Sequence, residues 1–138
     1  MAFVFAHELA HLERGHERER DKLLKDFQNR WLSEFGWLYA SVEARDHAYM
    51  LSFREVFVPR VDELSRRQEA EADRLAVAYL SAPASRYKAF EGAILMRHLK
   101  DQDWVLGADK HPGDATHPAL TQRALDVEFW SAVWAAGR

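Results

Sequence analysis

Apolar residues recur every three or four positions along most of this 138-residue chain, and this is the spacing of one buried face of an α-helix. The spacing is helical rather than alternating, so it predicts no strand. Glycine and proline, which interrupt helices, number only six and four, and three of the prolines follow residue 80. The pattern therefore predicts a mainly α, compact fold with little or no β-sheet.

The same pattern divides the chain into helical stretches. The first ends before Gly15, because glycine favours the left-handed conformation that commonly follows a helix. The second is long and is expected to bend or split near Gly36. It is rich in aromatic residues, which we expect to pack between helices. Pro59 is expected to break it. The charged run over 17–22 is expected to be a solvated helical face. The predicted helices cover about 2–14, 24–57, 61–80, 86–100 and from 118 onward, with one long loop over 101–118.

Composition limits the function. Hydrophobic residues make up 48% and charged residues 30% of the chain, which is typical of one globular domain over 1–138. The net charge of −3 does not favour nucleic-acid binding. No apolar run approaches the ~20 residues of a membrane-spanning helix, and the short apolar N-terminal run lacks the basic start of a secretory signal. We therefore expect no transmembrane segment and a cytoplasmic location.

The first predicted helix contains the pattern H-E-x-x-H at residues 7–11. Because positions four apart lie on one face of a helix, His7 and His11 can bind one zinc ion, and Glu8 can take a proton from a water molecule there. Cysteine is absent from the chain, so histidine and carboxylate are the metal ligands available. The alternative is a helix that carries two histidines by chance.

A third ligand is needed to complete a catalytic zinc site. Glu69 and Asp73 share one face of the helix predicted over 61–80, and the small residues Ala70, Ala72 and Ala76 would let that helix approach another closely. Glu69 can be the third ligand, while Asp73 can accept a hydrogen bond from the other nitrogen of a zinc-binding histidine. Charged residues at this spacing are also common on plain helix surfaces. Glu71, on another face, is expected to be solvated.

The stretch T-H-P at residues 116–118 precedes the last predicted helix. Pro118 suits the first turn of a helix, so His117 and Arg123 could face one pocket and donate hydrogen bonds to the oxyanion of a tetrahedral intermediate. The alternative is a helix cap followed by a surface arginine.

Together, H-E-x-x-H, S-R-x-x-E-x-x-A-D at residues 65–73, and T-H-P followed by an arginine resemble the HtpX and CAAX-prenyl-protease family of gluzincin zinc metallopeptidases. The resemblance implies a zincin-like core in which the H-E-x-x-H helix packs against the helix of Glu69 and Asp73. It implies that His7, His11 and Glu69 bind Zn²⁺, Glu8 is the general base, Asp73 supports the ligands, and His117 and Arg123 polarise the substrate carbonyl. The segment over 69–83 is also similar to ImmA-like metallopeptidases.

The resemblance also implies a protein or peptide substrate, but gluzincins usually place a strand-containing subdomain before the first motif. This chain begins almost at that motif, so we expect a fragment of a longer protein, a partner chain or oligomer that completes the cleft, or a different mode of substrate binding. The functional alternative is a catalytically impaired zinc-binding regulatory or fragment protein. A di-iron carboxylate protein is a further alternative, because Glu8-x-x-His11 and Glu13-x-x-His16 both read E-x-x-H.

Overall fold

The computed structural model describes residues 1–105 and 119–137, which form six α-helices and contain no strand. The prediction of a mainly α fold is therefore confirmed for this part of the chain. The helices are α1 (Ala2–Arg14), α2 (His16–Phe35), α3 (Val42–Ser52), α4 (Val58–Leu80), α5 (Glu91–Val105) and α6 (Leu120–Ala136). Most of the predicted loop over 101–118, with His117, lies outside the described residues.

The junction between α1 and α2 follows the sequence prediction. Helix α1 covers Ala2–Arg14, and Gly15 has φ 67° and ψ 35°, the left-handed conformation that costs glycine little. The amide of Gly15 donates to the carbonyl of Leu12, and α2 then begins at once with His16. A single residue therefore redirects the chain and fixes where His16 lies relative to α1.

Pro59 does not break the helix, and that prediction is wrong. The five residues Phe53–Phe57 form a π-helical turn between α3 and α4, and Pro59 lies in the first turn of α4. The amide of Val58 donates a hydrogen bond to the carbonyl of Phe53, five residues back rather than four. Proline has no N–H to donate, and the wider turn shifts the hydrogen-bond register at this point. The helical path therefore continues from Val42 to Leu80.

Other helix boundaries also differ from the prediction. Helix α2 starts at His16 and includes the charged run, in which Glu19 accepts hydrogen bonds from Arg67 and Gln68 of α4. That run therefore joins two helices as well as facing solvent. Helix α5 starts five residues later than expected and continues to Val105, so residues 101–105 of the predicted loop are helical. Helix α6 starts at Leu120 rather than at Pro118.

The main core lies between α1, α4, α5 and α6. The close approach of α1 to α4 uses small residues, because Ala10, Ala72 and Ala76 are all 0% exposed. Ala70 is exposed and takes no part in that contact, contrary to the prediction. The ten residues of the core are Phe3, Ala6, Ala76, Val77, Leu80, Ala89, Ala93, Met96, Ala124 and Val127.

The aromatic residues of α2 pack mainly against the helices that follow. Phe27 contacts the rings of Tyr49, Phe53 and Phe57, and Trp31 contacts Tyr49. For Phe27 and Trp31, this confirms that aromatic residues of the second predicted helix pack between helices. None of the described helices has both the length and the apolar character needed to cross a membrane.

We expect Gly92→Ala to destabilise the fold by about 1–3 kcal/mol, the usual cost of overpacking a core. A Cβ atom at Gly92 would lie 2.3 Å from Cδ2 of Phe3, a residue only 5% exposed. Gly36→Ala is the matched control, because its Cβ would meet only Leu32, at an ordinary 3.6 Å. Urea unfolding of both variants should show a loss for Gly92→Ala alone, and equal midpoints would contradict this packing.

Candidate metal centre

His7 and His11 lie one turn apart on the face of α1 that packs against α4. Their Nε2 atoms are 3.0 Å apart, and the two rings meet edge to face with centroids 4.6 Å apart. His7 is 8% exposed, and the His11 side chain is 15% exposed. Both Nε2 atoms therefore point to one place at the edge of the core.

Glu69 of α4 brings a carboxylate to the same place. One of its oxygens is 3.5 Å from Nε2 of His7 and the other is 3.4 Å from Nε2 of His11. In the part of the chain that the structure describes, these three residues form the one group whose ligand atoms lie close enough together, all within 4.8 Å, to hold a metal ion. A tetrahedral zinc ion with ligand bonds of about 2.05 Å spaces its ligand atoms about 3.3 Å apart. Two imidazoles and one carboxylate at these separations fit zinc.

Asp73, one turn after Glu69, fixes the orientation of His7. Its Oδ1 atom accepts a hydrogen bond from Nδ1 of His7 at 2.9 Å, and Asp73 itself is 3% exposed. When the His7 ring is neutral, as a metal ligand must be, this contact keeps its proton on Nδ1 and leaves the Nε2 lone pair facing the cluster. This is the contact that the sequence predicts for a carboxylate behind a zinc-binding histidine.

Arg123 of α6 is held between the two carboxylates. Its Nε and Nη2 atoms donate to the two oxygens of Asp73 at 2.7 and 2.8 Å, and Nη1 lies 3.0 Å from Glu69. Such paired contacts between a guanidinium and a carboxylate are strong and directional. The side chain is 13% exposed and borders the cleft, but these donors point at Asp73 and Glu69.

The electrostatics follow from this arrangement. Burial lowers the pKa of His7, but its hydrogen bonds and ion pairs with Asp73 and Glu69 outweigh burial and raise that pKa to about 9. Burial raises the pKa of Glu69, but contacts with His7 and Arg123 outweigh it and lower that pKa to about 2. Burial and the nearby His7 lower the pKa of His11. The metal-free cluster therefore holds one imidazolium between carboxylates.

We expect zinc binding near pH 7 to release about one proton, because His7 with a pKa of about 9 is protonated without metal and must be neutral as a ligand. The apparent zinc affinity should accordingly rise about tenfold per pH unit from pH 6.5 toward 9. Calorimetric titration in buffers of different ionisation enthalpy measures the proton count. An affinity that is flat over this range would contradict the assignment of His7 as a ligand.

The cluster opens into a cleft of about 760 Å³ that is also lined by Glu8, Leu12, Glu17, Arg20 and Asp21. Glu8 is exposed and therefore accessible to a molecule in the cleft. Of the residues implied by the family resemblance, the structure brings together Glu8, the three candidate ligands, Asp73 and Arg123. His117 and His111 lie outside the described residues, and His98 is exposed on α5.

The sequence pattern did not predict the contacts behind His11. His16 is 2% exposed, and its Nδ1 atom is 2.8 Å from Nδ1 of His11. Glu71 is not simply solvated, contrary to expectation, because it accepts a hydrogen bond from Arg14 and lies 3.7 Å from Nε2 of His16. The one sequence feature that could have indicated these contacts is that His16 directly follows Gly15, the residue that ends α1. Among the described residues, Glu13 and His16 of the second E-x-x-H belong to no group of potential metal ligands, and Glu13 accepts a hydrogen bond from Tyr79.

Comparison with known proteins identifies the family of this chain. The sequence model of peptidase family M48 matches residues 1–131, which is nearly the whole chain. No significant match exists among curated proteins or among solved structures. The matched region contains the three candidate ligands, Glu8, Asp73 and Arg123. The chain belongs to peptidase family M48, and this membership supports a metallopeptidase function.

Proposed function

We propose that this chain is a zinc metalloendopeptidase of the gluzincin type, with His7, His11 and Glu69 as the ligands of Zn²⁺. The observation that carries the proposal is the convergence of two Nε2 atoms and one carboxylate within 4.8 Å, at the wall of an open cleft. Membership of family M48 supports it, because peptidases of this family are generally zinc-dependent.

The chain's own residues have distinct roles in this proposal. Bound zinc would supply Lewis acidity and lower the pKa of water in the site toward about 7. Glu8 takes the proton of the attacking water and passes it to the leaving amine. His117 and Arg123 are proposed to polarise the substrate carbonyl, as the family resemblance implies. The contacts of Arg123 favour a further role, in which it holds Asp73 and Glu69 in place.

We propose that a small apolar cavity beside the cluster can receive an apolar side chain of the substrate. An apolar cavity of about 90 Å³ adjoins the cleft and shares His7 and Arg123 with it. The other residues that line this cavity are Phe3, Val4, Leu95, Met96, Leu99 and Leu120.

The alternative is a zinc-binding regulatory or fragment protein that is catalytically impaired. Both proposals predict zinc binding, so hydrolysis decides between them. The purified chain, loaded with zinc, should cleave casein and a peptide library, and a zinc chelator should stop the cleavage. Stoichiometric zinc with no turnover on any unfolded protein would favour the alternative.

Within family M48, the three motifs favour the HtpX and CAAX-prenyl-protease branch, and we propose that assignment together with a cytoplasmic location. The likeness of residues 69–83 to ImmA-like metallopeptidases is a second, narrower resemblance. A partner chain or a second copy that completes the substrate cleft is also proposed. Sizing the zinc-loaded chain with and without a bound peptide inhibitor would test that last point.

A further inference from the structure

His16 occupies a position that its surroundings fix closely. It is the first residue of α2, and the left-handed Gly15 directs it back toward α1. Its carbonyl accepts a hydrogen bond from Nε2 of Gln68, which also donates to Glu19. Two contacts from one buried glutamine therefore tie the start of α2 to α4, and the His16 ring is buried with 2% exposure.

The contact between His16 and His11 requires one proton between two nitrogens. Their Nδ1 atoms are 2.8 Å apart, and the rings meet at 82°. His11 points its Nε2 atom at the ligand cluster, 3.4 Å from Glu69, and a neutral imidazole ligand carries its proton on the other nitrogen. His11 therefore donates from Nδ1, and Nδ1 of His16 accepts.

This assignment places the proton of a neutral His16 on Nε2. That atom is buried and has no hydrogen-bond partner within the described residues, and Oε2 of Glu71 lies 3.7 Å from it. Glu71 is held in turn by Arg14, the last residue of α1. A chain of side chains thus runs from His11 through His16 toward Glu71.

We propose that His16 is a positioning residue that fixes the ring orientation and tautomer of His11 as a metal ligand. The inference rests on the proposed zinc site. It gives the two histidine ligands different supports, since His7 donates to the carboxylate of Asp73, while His11 donates to a neutral imidazole. Mutation of the group that accepts a hydrogen bond from a metal-binding histidine commonly lowers metal affinity by roughly 10- to 100-fold.

The test compares three substitutions in the full chain, using zinc affinity measured by chelator competition. In His16→Asn the side-chain oxygen can replace Nδ1 as the acceptor, because both atoms are bonded to Cγ. In His16→Gln the amide lies farther out, near the place of Nε2, and His16→Leu provides no acceptor. We expect zinc dissociation constants about 10- to 100-fold higher for the Gln and Leu variants, and within about threefold of the wild type for the Asn variant.

The absorption spectrum of the cobalt-substituted protein gives a second readout that does not depend on activity. The Asn variant should reproduce the wild-type spectrum, and the Gln variant should not. His98→Leu, which removes an exposed histidine of α5, is the control and should match the wild type in both measurements.

The outcomes separate this inference from the proposed function. A wild type that binds no zinc would overturn the metal site and the role of His16 with it. A wild type that binds zinc, together with Asn and Gln variants of equal affinity, would overturn the role of His16 alone. If circular dichroism shows His16→Leu to be unfolded, the comparison of Asn with Gln decides the question.

Discussion

Replacing Glu8 by glutamine should lower kcat for peptide hydrolysis by between about 100- and 10,000-fold, the usual contribution of a general base. Zinc content should not change, because the proposed ligands are His7, His11 and Glu69. Glutamine keeps the size of the side chain and its position on α1, but it cannot accept the proton of the attacking water. The variant is measured by steady-state hydrolysis of a peptide substrate alongside metal analysis.

Glu13→Gln is the matched control for that experiment. Glu13 lies on the same helix and loses the same charge, but its partner is Tyr79, for which glutamine still offers an acceptor. We expect Glu13→Gln to hydrolyse peptides like the wild type. Full activity in Glu8→Gln would show that another group serves as the base.

Replacing Asp73 by alanine should lower the free energy of unfolding of the metal-free protein by about 3–5 kcal/mol, the usual cost of breaking a buried ion pair. Asp73 is 3% exposed and is the shared acceptor for His7 and Arg123. Its removal leaves the guanidinium and the imidazole buried without this partner. Urea unfolding measures the loss, and Glu63→Ala, an exposed position on the same helix, should change it by less than about 0.5 kcal/mol.

The double variant Asp73→Leu with Arg123→Met separates stability from metal support. Apolar residues of similar volume often replace a buried ion pair without loss of stability. We therefore expect the double variant to recover much of the stability lost in Asp73→Ala while its zinc affinity stays low, because His7 has still lost its acceptor. Recovery of both properties would contradict the role of Asp73 behind His7.

The parts of the site that the sequence predicts depend on spacing within one helix. The four-residue spacing of His7 and His11 holds for any α-helix, and α1 covers the expected residues. Glu69 and Asp73 are likewise one turn apart on α4. The contact of Glu69 and Asp73 with the two histidines is a tertiary contact. The family resemblance implied it, but periodicity alone could not predict it.

The contacts that were not predicted depend on where helices lie relative to each other. Arg123 reaches Asp73 across 50 residues, and Arg14 reaches Glu71 across 57. No local pattern encodes either pair. The π-helical turn before Pro59 is similar, because it lies where the ring of Phe57 packs against Phe27 of α2, a contact between distant residues.

His16 shows the same limit at shorter range. The sequence predicts that Gly15 ends α1, and the structure confirms it. The left-handed conformation then decides that the next side chain turns inward toward His11 instead of outward with its charged neighbours. That outcome needs a backbone dihedral angle, which spacing does not provide.

The zinc content of the wild type and of the variant His7→Ala/His11→Ala tests the central claim most directly. Both proteins are loaded with zinc, dialysed, and measured by mass spectrometry of the metal. We expect about one zinc ion per wild-type chain and almost none in the variant. A wild type that retains no zinc, or a variant that retains as much as the wild type, would contradict the assignment of the metal centre.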